Sequence, residues 1–163
     1  MQIKKALAAA ACGIIILATA CHKDKDKNNT TTTPKTPTDY LTDAKWKTTS
    51  YRSFYADADT SYSQDYYQNG IDACAKDDFE IYLTNGTIVD NVGVLKCDST
   101  EDQTDSTGRW LFIDNNSKLV FSYDSSSDTA VILQLNATTL KYAMNFSDPV
   151  ITERDTITCT NIK

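Results

Sequence analysis

The stretch Lys76-Asp77-Asp78-Phe79-Glu80-Ile81-Tyr82-Leu83-Thr84-Asn85-Gly86-Thr87-Ile88-Val89-Asp90, followed by Lys96-Cys97-Asp98, decides the fold. Phe79, Ile81 and Leu83 alternate with Glu80, Tyr82 and Thr84, the period of a half-buried strand with its apolar set inward. Asn85-Gly86 is a strong hairpin signal, because a type I′ turn needs positive φ at both central residues. With Thr84 opposite Thr87, the numbers of paired residues sum to 171, which also sets Cys74 opposite Cys97. The alternative is a bulge at Gly93, which would slip that register by one.

Working outward, Ala44 to Tyr55 reads as a first strand opening on Trp46. The connection from Asp57 to Ala73 reads as a loop; its Tyr62, Tyr66, Tyr67 and Ile71 also permit a short helix with one aromatic face. After the hairpin and a polar Asp98–Ser106 loop come strands over Arg109–Ile113, Lys118–Tyr123, Thr129–Leu135, Thr139–Phe146 and Asp155–Ile162. Turns at Asn115-Asn116, Asp124–Ser127, Asn136–Thr138 and Asp148-Pro149 separate them. Eight strands with mostly short links and no long helical pattern predict an all-β, antiparallel up-and-down barrel, whose closure removes exposed edges. The expected inward set is Trp46, Phe79, Ile81, Leu83, Ile88, Val92, Trp110, Phe112, Leu119, Phe121, Tyr123, Val131, Leu133, Leu135, Leu140, Tyr142, Met144, Phe146, Ile157 and Cys159.

The barrel occupies 39–163. Before it, Lys4-Lys5 and the apolar run Ala6–Ala18 have the form of a signal peptide over 1–20, too short for a membrane span. Leu17-Ala18-Thr19-Ala20-Cys21 resembles the bacterial lipobox, which implies cleavage before Cys21 and acylation (palmitate) of its thiol. Residues 21–38, with alternating Lys and Asp and then Thr and Pro, read as a flexible tether. The net charge is −6, but residues 39–163 carry ten Lys and Arg against twenty Asp and Glu. That argues against nucleic acid as a partner and against adhesion to anionic headgroups, leaving the lipid on Cys21 to hold the membrane. With Cys12 in the signal and Cys21 lipidated, Cys74 and Cys97 pair in an oxidising compartment, and Cys159 remains as a buried strand thiol.

Several motifs together resemble the lipocalin-like domains of Bacteroidota outer-membrane lipoproteins. They are Leu41-Thr42-Asp43-Ala44-Lys45-Trp46, Cys74-Ala75-Lys76-Asp77-Asp78, Asn85-Gly86-Thr87, Lys96-Cys97-Asp98 and Thr107-Gly108-Arg109-Trp110. Ala44 stands where a lipocalin Gly-x-Trp has glycine. The resemblance implies a small closed barrel, an outer-membrane location, and for most members no known ligand.

Catalytic constellations are missing. The only histidine, His22, lies in the tether, which excludes a Ser–His–Asp or Cys–His unit within the domain. No phosphate-binding or zinc-protease motif is present, no cofactor is implied, and no two carboxylates stand out as a hydrolase pair, which leaves a cryptic carboxylate-based hydrolase as the last of the alternatives. The acidic residues Asp98, Glu101, Asp102 and Asp105 lack the glycine and terminal glutamate of a calcium loop. Eight strands enclose a lumen that side chains fill or that holds one small ligand. The expected reading is a non-enzymatic, membrane-anchored module with a filled barrel, presenting loops to a protein or glycan. The alternative is a carrier of a small apolar or amphipathic ligand, lined by Trp46, Trp110, Phe112, Tyr123 and Tyr142 under the Asp57–Ala73 connection.

Overall fold

A computed structural model describes residues 33–147 and 151–162. The signal peptide, Cys12, Cys21, His22 and the tether up to residue 32 lie outside the described residues, as does the Asp148-Pro149 connection. The described chain is an all-β closed barrel of eight antiparallel strands in up-and-down order, with one extra strand.

Folding starts earlier than the sequence suggested. A short helix, α1 (Pro37–Thr42), precedes the barrel. Pro37 stands at its first position, and Thr36 and Asp39 form a reciprocal capping box. Leu41 on α1 is fully buried. Its carbonyl accepts the Trp46 indole N–H at 2.9 Å, which fixes the start of β1 (Lys45–Ala56).

After β1 the chain forms β2 (Ser61–Asp65), then α2 (Tyr66–Asn69) and a 3-10 turn over Cys74–Asp77. The hairpin is β3 (Phe79–Tyr82) and β4 (Thr87–Asn91). The remaining strands are β5 (Thr104–Ile113), β6 (Lys118–Tyr123), β7 (Ser126–Leu135), β8 (Thr139–Ser147) and β9 (Thr152–Ile162). Sequential neighbours pair from β3 to β9, and β1 closes the ring between β9 and β3. β2 is the extra strand, inside the connection read as a loop. It doubles back on Arg52–Ala56. β5 likewise begins within the expected Asp98–Ser106 loop.

The hairpin register differs from the expected one. Phe79 faces Asn91 and Tyr82 faces Ile88, so paired numbers sum to 170. Leu83 N–H donates to Thr87 O and Gly86 N–H to Leu83 O, leaving a three-residue loop, Thr84-Asn85-Gly86. Only Gly86 in this loop takes positive φ, 82°. Asn85 instead accepts the Thr87 N–H on its side chain. This is a turn closed by a glycine bulge, where a type I′ turn would need positive φ at two residues.

A one-residue slip swaps faces. Tyr82, not Leu83, shares the inner face with Ile88; Tyr82 and Ile88 are wholly buried while Leu83 is 39% exposed. Glu80 turns inward with Tyr82, and Phe79 and Ile81 are only partly buried. β7 is also opposite to expectation. Ala130 is buried and Ile132 packs on the core, whereas Val131 and Leu133 are exposed. The run Ala130-Val131-Ile132-Leu133 has no period, so the β6 partners decide its phase, Leu119 facing Ala130. A register shift between Ile132 and Gln134 returns Leu135 to the core. Phe146, expected inside, is 40% exposed near the end of β8.

The barrel centre is packed. Tyr82, Trp110, Phe112, Phe121 and Tyr142 form a chain of ring contacts with centroids 5.4–6.4 Å apart. Leu119, Leu140, Ile157 and Cys159 fill the space around them. Such aromatic contacts add about 0.5–1.5 kcal/mol each beyond burial.

Candidate functional site

The barrel wall is incomplete at one seam. β1 pairs with β3 only at Lys45 and Trp46, and with β2 only from Arg52 onward. Lys47–Tyr51 therefore have no strand partner on that side, although β9 runs along their other edge. A cavity of about 370 Å³ opens at this gap. Trp46 and Thr48 of β1 form one wall; Asp78, Phe79 and Glu80 form the next; Asp90, Asn91 and Val92 form the third. Ile71 and Ala75, from the segment crossing the gap, cover it.

The covering segment is clamped. Cys74 and Cys97 form a disulfide with Cα atoms 5.1 Å apart. The pairing is as expected, but Cys74 sits in the 3-10 turn, outside the hairpin ladder. Beside it, Asp77 Oδ2 accepts the N–H groups of Val94 (2.7 Å) and Leu95 (3.1 Å). Those backbone bonds hold the Asp77 carboxyl below its ordinary pKa. Gly93 has φ 61° and lies against Asp77; a Cβ there would come within 2.5 Å of its carboxyl carbon. Lys76 lies over the Tyr67 ring at 5.3 Å. The Lys-Asp-Asp motif thus divides its work: Lys76 and Asp77 fix the segment, and Asp78 faces the cavity.

The cavity lining contains three carboxylates and no Lys, Arg or His. Glu80 is partly buried as a residue, since the cavity reaches it, but protein surrounds its carboxylate. Burial pushes Glu80 up to about 7; the Tyr82 hydroxyl, which donates to its Oε2, opposes the shift, and the Asp90 charge adds to it. Burial also raises Asp90, helped by Asp105. The Thr107 hydroxyl faces Asp90 and eases that rise without meeting hydrogen-bond geometry, and Asp90 Oδ1 and Thr107 Oγ1 are both buried without a partner. Asp78 is raised by burial and by the charges of Asp77, Glu101 and Asp90. Among the described residues, no three His, Cys, Asp or Glu side chains are grouped to hold a metal ion.

Of the lining expected from sequence, only Trp46 reaches this cavity. Trp110 and Tyr142 belong to the packed centre, and the partly buried Phe112 and Tyr123 pack against it. The Trp110 indole donates to Leu83 O at 3.0 Å. The acidic wall went unread because the expected register turned Glu80 outward. The signal that finds it is Glu80 opposite Asp90, a cross-strand pair of like charges that a solvated sheet face would avoid.

A second buried carboxylate, Asp155, is fully engaged. It accepts the Tyr51 and Ser53 hydroxyls, each at 2.6 Å, and is 2% exposed. This network ties β1 to β9. Cys159 is a buried free thiol pushed up to about 12, chiefly by burial.

No known protein family, curated protein or solved structure matches the chain.

Proposed function

We propose that this protein is a non-enzymatic, lipocalin-like binding module, anchored to the outer membrane by lipid on Cys21, that takes a small ligand at the mouth of its barrel. The cavity at the β1–β3 seam carries this reading. Its volume lies near the lower end of ordinary small-molecule sites, about 300–1,000 Å³. It joins an aromatic wall, Trp46 and Phe79, to a few polar groups, and a disulfide clamps its cover. The packed centre makes the barrel a rigid frame for that mouth and replaces the expected choice between a solid barrel and a hollow one.

A second reading, an interaction module that engages a protein or glycan by its loops, is favoured by Val94 and Leu95. They stand 89% and 59% exposed at the loop pinned by Asp77, an apolar tip beside the cavity. The two readings separate in one experiment. The full chain carrying Cys21→Ser should leave the membrane fraction; full retention there would remove the lipid anchor from the reading. Native mass spectrometry of that released protein, purified from its own host, should show a retained small molecule. Ala75→Trp, which fills the cavity, should abolish the retained mass while leaving the circular dichroism unchanged. A retained mass that survives Ala75→Trp would move the ligand elsewhere, and no retained mass would favour the loops.

A further inference from the structure

Resting on that reading, we propose that the seam cavity selects a protonated amine on an apolar stem, with the ammonium group held by Glu80 and Asp90 and the stem against Trp46, Phe79 and Val92. Three observations converge on this class. First, the lining has acidic side chains on two sides and no cation to neutralise them. On β1, Lys45 lies over the Phe79 ring at 5.5 Å. Lys47 acts on Asp77, which the Val94 and Leu95 amides already occupy.

Second, acceptor capacity is left open. Asp90 Oδ1 is buried with the Thr107 hydroxyl facing it but no completed hydrogen bond, and Glu80 is bonded to Tyr82 through one oxygen. An ammonium group has three donors and no acceptor, which matches two carboxylates short of donors. A carboxylate or phosphate ligand would meet like charge, and a neutral alcohol would supply one donor only. Third, Asp78, Glu80 and Asp90 do not form a three-carboxylate metal group, and the two that pair across β3 and β4, Glu80 and Asp90, stand beside aromatic surface. Trp46 suits both an apolar stem and a cation near its face, and Phe79, which already carries Lys45 over its ring, adds apolar surface.

The groups facing Glu80 are Asp90 on β4, Tyr82 on β3, Tyr123 on β6, Tyr142 on β8 and Cys159 on β9, with Asp78 across the cavity mouth. None of them is positive. Burial raises the tyrosines and the thiol, so all stay neutral near pH 7. Glu80 is therefore the group whose ionisation near neutral pH sets the charge offered to the amine, while an alkylammonium stays protonated, its pKa being about 10 as for lysine.

The test uses the full chain with Cys21→Ser and three probes of matched length: hexylamine, hexanol and heptanoate. Binding is read as saturable change in tryptophan fluorescence and as a rise in melting temperature. At pH 8 hexylamine should bind at least roughly tenfold more tightly than hexanol, the scale of one charge-assisted hydrogen bond, and heptanoate should not bind. Lowering the pH to 5.5 should weaken hexylamine roughly thirtyfold, because Glu80 must lose the proton it has taken up. Glu80→Gln should remove that pH dependence; if it does not fold at pH 8, Asp90→Asn should still cut affinity for hexylamine and leave hexanol unchanged. Equal binding of hexanol and hexylamine, preference for heptanoate, or no pH dependence would overturn the amine assignment and leave the cavity as a binding site. Silence of all three probes would overturn both.

Discussion

Replacing Glu80 by Gln should flatten the pH dependence of stability between about pH 5 and pH 8. In the folded protein Glu80 titrates at about 7, against an ordinary value of 4.5. Between those values the folded state holds a proton that the unfolded chain has released, so stability falls as pH rises through the window. The contribution is complete below the unfolded value and lost above about 7. A shift from 4.5 to about 7 corresponds to about 3 kcal/mol at 1.36 kcal/mol per unit, and water entering the cavity lowers the expected change to about 1–3 kcal/mol. Gln keeps an acceptor for the Tyr82 hydroxyl but does not ionise. Asp78 and Asp90 are raised in the same direction, and they remain in both proteins. The difference between wild type and variant isolates Glu80. Urea denaturation at several pH values, read by tryptophan fluorescence, should give curves that run together near pH 5 and separate towards pH 8, the variant above. Parallel curves over the whole range would refute an enclosed Glu80 carboxylate, and with it the inward face assigned to β3.

Other outcomes follow from the clamp and the buried polar groups. Replacing Cys74 and Cys97 together by Ala should cost about 3 kcal/mol, the chain-entropy value for a loop closed over a separation of 23 residues, measured by denaturant titration. Asp155→Ala should cost about 2–4 kcal/mol, because the Tyr51 and Ser53 hydroxyls lose their acceptor in a buried site. Cys159 should resist a maleimide in the native protein and react once urea unfolds it, as peptide mass spectrometry of its segment would show.

The eight barrel strands and their up-and-down order were legible because they rest on local signals, whereas the cysteine pair was legible by elimination, the register that set Cys74 opposite Cys97 being off by one. Turn residues punctuate the chain, and Lys118–Tyr123 matched β6 end to end. Facing was less legible. The Asn85-Gly86 pair serves two turn types, and only the three-residue loop turns Glu80 and Tyr82 inward. In β7 four apolar residues in a row carry no phase of their own. β2 was hidden because Ser61-Tyr62-Ser63-Gln64-Asp65 has little apolar content; it is a strand through its pairing with β1. The cavity was least legible, since it depends on where β3 begins relative to β1. That is a long-range property which no window of sequence contains.

The closure of the ring by β1 and β9 has a temporal consequence. Lys45 pairs with Ile162 and Ala56 with Thr152, so the seam joins segments far apart in the chain. Contacts of such separation are slow to form, because loop-closure entropy is lost before pairing returns it. A chain that folds as it is synthesised can zip β3 through β8 in sequence, while β1 and β8 each present a bare edge until β9 arrives. Those edges are templates for pairing with other chains. Interrupting synthesis before Thr152 would therefore leave an open sheet prone to self-association at those two edges.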